Sequence, residues 1–169
     1  MSTRAETERG FTIVRRFDAP REVVFRAWTD PTWLGWFAGP NSPPDNPITV
    51  DLRVGAAWRL LMVEDEERSY MTGGVYREIV RPERLVFSWG AVDGWPKLDP
   101  DRPDDTPLIT VTLEDRDGGT EMTFRLELAD HLTEDEVRRW FAMGIRDGAT
   151  QTLDRLTPSY LAGVGSSLR

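Results

Sequence analysis

Three side chains in this sequence combine the chemistry and the placement to move a proton. Asp147 lies at the edge of the apolar side of a helical pattern. Burial there would raise its pKa and make it a general acid or base; a solvated position leaves it an ordinary surface charge. Tyr76 and Glu78, two residues apart in a strand pattern, read as sharing one strand face. They would supply a polar anchor in a pocket, or else Tyr76 simply carries its hydroxyl to a rim. The other common agents are scarce: the chain has no Cys and one His, His131. That argues against a thiol nucleophile, a Ser-His triad and a zinc centre, so neither a metal nor a cofactor is expected. His131 reads as a loop residue ahead of the last helix. The acidic runs at 64–67 and 99–105 lack the alternating pattern of a calcium loop and read as solvated faces. Gly73-Gly74 and Gly118-Gly119 suit strand ends and turns rather than a phosphate loop.

A second set of residues has the chemistry of an apolar wall. Alternation places Trp58, Leu60 and Met62 on one strand face, Phe87 and Trp89 on another, then Val111 with Leu113 and Phe124 with Leu126. Trp36 and Phe37, beside Trp33, would gate a cavity mouth or pack short helices onto a sheet. Phe141, Gly144, Ile145 and Gly148 fall on one side of the last helical pattern. Each glycine costs about 1 kcal/mol against Ala inside a helix, so the pair wants a reason: close approach to a sheet, or space left beside the backbone for a ligand. Met62 and Met143 add adaptable surface that suits an apolar guest. Together with Tyr76, these residues are the candidate wall of a ligand cavity.

The elements that must position them follow from periodicity and punctuation. Phe11 to Phe17 alternates as a strand. Asp18-Ala19-Pro20 opens a helix carrying Val23, Val24, Ala27 and Trp28, and Thr29-Asp30-Pro31 opens a second, short one. Residues 39–47 form a proline-rich loop. Strands are predicted at 48–52, 57–63, 70–80, 85–89, 108–113 and 122–128, the last two joined at the turn Asp117-Gly118-Gly119. Residues 93–107 read as a long exposed loop. Thr133-Glu134-Asp135-Glu136 is a capping box, and the stripe Val137, Phe141, Ile145, Gly148, Thr152, Leu156 predicts one long helix ending before Pro158. An antiparallel sheet with one apolar face needs a cover, and this helix is the longest element. The expectation is an α+β domain over 11–160, with tails at 1–10 and 161–169, whose sheet curls round the last helix and leaves a cavity between them.

Composition bounds the partners. Twenty-one basic residues against 29 acidic give a net charge of −8 over 169 residues. Nucleic acid and anionic membrane surfaces are poor partners for such a chain. The polar N-terminus lacks the apolar run of a signal peptide, so the expected location is the cytoplasm. A chaperone contact and a homodimer stay open.

The segments FDAPREVVFRAWTDPTWLGWF (17–37), DLRVGAAWRLLM (51–62), GGVYREIVRPERLVFSW (73–89), GGTEMTFRLEL (118–128) and DGATQTLDRL (147–156) resemble one family. It is the heat-shock-protein-90 ATPase activator-like branch of the START-like (SRPBCC), helix-grip superfamily. The resemblance spans residues 11–160. It implies a βααββββββα fold, a curved antiparallel sheet gripping a long C-terminal helix over an apolar cavity. Many relatives carry Gly-Trp in the last helix with a His three positions before the Gly. Here those positions are Ile145, Gly148 and Ala149, which implies a larger and less polar cavity. The family takes its name from a two-domain co-chaperone of which this chain matches only the helix-grip part. The implied function is binding of a small hydrophobic or aromatic molecule between sheet and helix. The alternatives are a cyclase- or hydratase-like enzyme using that cavity, and a chaperone-interacting module. One fold of this kind hosts many roles.

Overall fold

The computed structural model describes residues 9–39, 42–63, 65–91 and 101–167. Residues 1–8 of the expected tail at 1–10, residues 40–41, Glu64 of the first acidic run, residues 92–100 (of which 93–100 belong to the expected loop) and residues 168–169 lie outside the described residues, and Gly10 of that tail is already in strand β1.

Seven strands form one antiparallel sheet: β1 (Gly10–Phe17), β2 (Thr49–Val50), β3 (Ala57–Val63), β4 (Ser69–Val80), β5 (Arg84–Ser88), β6 (Leu108–Arg116) and β7 (Gly119–Glu127). Their order is β1-β7-β6-β5-β4-β3-β2. Strands β2 to β7 meander, and β1 closes the far edge by pairing with β7. The β6–β7 register is fixed by the hairpin turn at Asp117-Gly118, where φ is 51° and 84°. Positive φ at both central residues matches the twist of the flanking strands. Alternation then buries Ile109, Val111 and Leu113 of β6 against Met122, Phe124 and Leu126 of β7.

Glycine allows the long strand β4 to run close under its neighbours. A side chain at Gly74 would run into the Ser88 carbonyl. The Gly73 amide and carbonyl instead exchange hydrogen bonds with Gly90 (3.1 and 2.8 Å).

Two helices, α1 (Arg21–Thr29) and α2 (Gly35–Ala38), follow β1, and three close the chain: α3 (Glu134–Ala142), α4 (Ile145–Asp154) and α5 (Pro158–Ser167). The single long C-terminal helix expected from periodicity is therefore three. Gly144 sits at φ 85° between α3 and α4, a left-handed conformation that glycine adopts without penalty and that ends a helix. Nothing lies within 4 Å of a Cβ built there, so glycine serves the break itself and not a close approach. The apolar stripe survives the break: Val137, Ile145, Thr152 and Leu156 are all buried. The expected tail at 161–169 is mostly helix α5, with Leu161 and Val164 buried. Its Tyr160 hydroxyl donates to the Trp33 carbonyl at 2.7 Å.

Helix α4 closes the mouth of the curled sheet. On the β1 side, Asp154 pairs with Arg15 at 2.8 Å and the Arg146 guanidinium lies 5.0 Å from the Phe11 ring centre. On the other side α4 faces the β3–β4 hairpin across a groove.

The capping box at the start of α3 forms as expected. The Glu136 amide donates to Thr133 Oγ1 (3.2 Å), and the Thr133 amide donates to Glu136 Oε1 (3.0 Å). That amide, together with Arg102 at 2.6 Å, lowers the Glu136 pKa from 4.5 to about 2. A carboxyl held low in the folded state contributes stability that is full above its unfolded pKa and lost as pH falls toward the folded one. The cap's contribution should therefore fade between pH 4.5 and about 2. Urea midpoints should show Glu136→Gln less stable than wild type near pH 6, with the difference shrinking at about pH 3. A gap of constant size across that range would contradict the assignment.

Candidate functional site

The concave side of the sheet is filled by rings. Five aromatic side chains form a closed circuit of contacts. Trp28 meets Trp36 edge-on at 4.8 Å, Trp36 meets Phe37 at 5.6 Å, and Phe37 meets Trp58 at 5.4 Å. Trp58 meets Phe87 at 5.5 Å, and Phe87 returns to Trp28 at 5.9 Å. Trp89 adds a sixth ring, 4.9 Å from Phe37. Edge-to-face geometry of this kind stabilises beyond simple area burial.

The four indoles of this ring cluster each donate a hydrogen bond, whereas the buried Trp33 Nε1 outside it has no partner among the described residues. Trp28 donates to Met122 Sδ (3.3 Å), Trp36 to the Ala27 carbonyl (2.9 Å), Trp58 to the Ser88 carbonyl (3.3 Å) and Trp89 to Thr72 Oγ1 (3.1 Å). Each ring is thus held by a directional bond as well as by packing.

The void left among Trp28, Leu34, Phe37, Trp58, Tyr76, Leu85 and Phe87 has a volume of about 10 Å³. That is close to the smallest space that holds one water, whereas ligand pockets run to roughly 300–1,000 Å³. The enclosed cavity expected between sheet and helix is therefore not open here. Its expected wall residues Trp36, Phe37, Trp58, Leu60, Tyr76, Phe87, Trp89, Val111, Leu113, Phe124, Leu126 and Ile145 are all buried core. Phe141 is half-buried and packs edge-on against Phe11 at 6.3 Å, on the β1 side. Trp33 parts from Trp36 and Phe37 and stacks edge-on against Tyr160 of α5 at 5.9 Å.

Sequence reading missed Trp28, Leu34 and Leu85 as neighbours of the void. Trp28 was legible as part of the α1 stripe. No local pattern says that this stripe points into the sheet's hollow.

The proton-transfer candidates are not brought together. Burial pushes the Tyr76 hydroxyl above its ordinary pKa, and the Asp51 charge adds to the effect. The ladder between β4 and β5 shifts register between Tyr76 and Glu78, so Tyr76 faces Phe87 while Glu78 faces Val86. Adjacent strand residues point to opposite faces. Glu78 therefore leaves Tyr76's face, contrary to the i, i+2 expectation, and pairs with Arg84 at 3.1 Å. Asp147 is exposed on α4. His131 meets the Asp105 carboxylate at 2.5 Å, and no metal-ligating cluster occurs among the described residues.

Open grooves of about 790 and 760 Å³ lie on the surface along β3–β4 and beside α2. The groove that gathers several expected site residues is a smaller one, lined by Met62, Val63 and Tyr70 of β3 and β4 and by Met143, Gly144, Asp147, Gly148 and Gln151 at α4. The groove they line has a volume of about 390 Å³. Arg155, just past the end of α4, closes one end of it. The expected residues Met62, Gly144 and Gly148 lie here, and Met143 is 47% exposed.

A curled antiparallel sheet gripping C-terminal helices defines the α+β helix-grip class. The chain belongs to the Activator of Hsp90 ATPase homolog 1-like protein family, which matches residues 18–159. Among solved structures, an Arthrobacter aurescens protein is 24% identical with a TM-score of 0.72, covering 91% of this chain and 86% of its own. A Nitrosomonas europaea protein is 21% identical with a TM-score of 0.71, covering 95% and 99%. A Mycobacterium smegmatis protein is 24% identical with a TM-score of 0.66, covering 86% of each chain. These likenesses establish the fold. No curated protein matches the chain. No helix among the described residues is long and apolar enough to cross a membrane.

The ring circuit predicts the effect of opening it. Phe37 touches Trp28, Trp36, Trp58 and Trp89, so Phe37→Ala should cost about 3–5 kcal/mol in urea unfolding. A loss below about 1 kcal/mol would mean that the site collapses freely and that the rings are not close-packed.

Proposed function

We propose that this protein binds a small hydrophobic or aromatic molecule in the groove between α4 and the β3–β4 hairpin. The observation that carries the reading is the bare face of the helix. Gly144 and Gly148 present no side chain to a groove of about 390 Å³, a size within the range of small-molecule sites. Two methionines, Met62 and Met143, border it and adapt readily to an apolar guest. Binding draws on apolar area at about 25 cal/mol per Å², with Tyr70, Gln151 and Asp147 at the border to orient the guest. The groove lies at the rim between the β3–β4 hairpin and α4, outside the filled interior where the family resemblance implies a ligand, and it shares Met62, Gly144 and Gly148 with that expected wall.

A second reading rests on the filled interior. A void of about 10 Å³ suits a module that works through its surface, and the family's name points to chaperone ATPase activation. Under that reading the chain raises the ATPase rate of a heat-shock-protein-90-class chaperone, and groove variants leave the effect intact. An unchanged ATPase rate would dismiss it.

The groove reading is tested with Gly148→Leu. Leucine gains about 1 kcal/mol of helix propensity over glycine, so α4 should hold. Its side chain would occupy the groove. Affinity for a neutral aromatic probe, 2-naphthylethanol, should fall about tenfold, equivalent to about 1.4 kcal/mol. The thermal midpoint should stay near the wild-type value. A large drop in midpoint with unchanged affinity would contradict the proposal. Native mass spectrometry of protein from its source should also show a co-purifying small molecule.

A further inference from the structure

Arg155 is a half-buried cation at the end of the α4 groove. In a chain with 29 acidic residues against 21 basic, Arg15, Arg21, Arg26, Arg84 and Arg116 each sit on a carboxylate, and the half-buried Arg9 spends two of its nitrogens on the Ala129 and Leu132 carbonyls. Arg155 is half-buried, and no carboxylate lies within ion-pair reach of it among the described residues. Its sequence neighbour Asp154 is held by Arg15. Among the described residues, the one hydrogen bond from the Arg155 side chain runs from Nη1 to the Phe37 carbonyl at 3.1 Å. A guanidinium offers five N–H donors in a planar fork, so most of its capacity is unspent.

Its surroundings keep it both partly dry and reachable. Burial lowers the Arg155 pKa from its ordinary value, the sign of a cation that has lost water without gaining a counter-charge. Gly39, at φ 113°, lies against it, and a Cβ there would come within 3.8 Å of the guanidinium carbon. The side chain lines the α4 groove and also a second groove, of about 760 Å³, on the α2 side. A partly desolvated, unpaired cation is costly unless something anionic completes it.

We infer that Arg155 is the anchor for a carboxylate, so that the ligand of the α4 groove is an aromatic or alkyl carboxylic acid whose apolar body lies along Gly148 and Met62. The planar fork of Arg155 matches a carboxylate through two parallel charge-assisted hydrogen bonds. This inference rests on the groove reading above. It adds a ligand class and a residue with a specific role in selecting it.

The test compares 2-naphthylacetate with 2-naphthylethanol by titration calorimetry. Wild type should bind the acid about tenfold more tightly than the alcohol, in line with a hydrogen-bonded charge pair. Arg155→Met should remove that preference, the acid losing about tenfold more affinity than the alcohol, and Gly148→Leu should weaken both probes. Equal wild-type affinity for acid and alcohol would overturn the Arg155 anchor and leave the groove reading standing. So would an acid preference that persists in Arg155→Met. Failure of both probes to bind would overturn both. Because Arg155→Met also removes the bond to Phe37, a measurement on wild type stands beside it. The Arg155 Nε–H signal in NMR should move on titration with the acid and not with the alcohol, and an unmoved signal would overturn the anchor without any variant.

Discussion

The fold is organised around rings that α1 and α2 carry into the hollow of the sheet. Trp28, Trp36 and Phe37 meet Trp58, Phe87 and Trp89 from β3 and β5 and the segment after it. A curled sheet needs something on its concave face, because an apolar face left to water forfeits the main driving force of folding. Here short helices from early in the chain provide that cover. The hydrogen bonds of the cluster's four indoles then fix the orientation of each ring, so the cluster packs in one way. The C-terminal helices are left to seal the rim.

That division of labour decides where a guest can go. With the interior reduced to about 10 Å³, open space lies in surface grooves, one of them at the rim where α4 approaches the β3–β4 hairpin. Helix α4 begins at Gly144, whose left-handed backbone separates it from α3. It is tied to β1 through Asp154 and Arg15. On the other side Gly148 lines the groove between α4 and the β3–β4 hairpin. The same arrangement leaves Arg155 half-covered at the end of the groove, bonded to the Phe37 carbonyl. Core and rim are linked at this point: the backbone oxygen that holds the guanidinium belongs to a central residue of the ring cluster.

Much of this was legible in the sequence. Period-two alternation gave the inward faces of β3, β5, β6 and β7, because a half-buried strand has no other economical pattern. Asp117-Gly118 and the box from Thr133 to Glu136 marked a turn and a helix start, since each is a local hydrogen-bond or backbone requirement. The break at Gly144 was harder to see. An apolar stripe that keeps its phase across a one-residue interruption looks continuous, and only the backbone shows that glycine is there for its φ angle. The separation of Tyr76 from Glu78 was equally hidden, because a shift in strand register leaves no mark in spacing. The filled hollow was the least legible feature. Trp36 and Phe37 read alike as gate or as core, and the choice depends on contacts between segments distant along the chain.

Methyl NMR of protein labelled at methionine tests the central claim most directly, since methionines sit on both sides of the question. Met62 and Met143 border the rim groove, while Met122 is fully buried and accepts the Trp28 indole N–H. On titration with a small aromatic acid, the Met62 and Met143 methyl signals should shift while Met122 and the Trp28 indole signal stay in place. Shifts at Met122 and Trp28 with Met143 unmoved would place the guest among the rings and contradict this account.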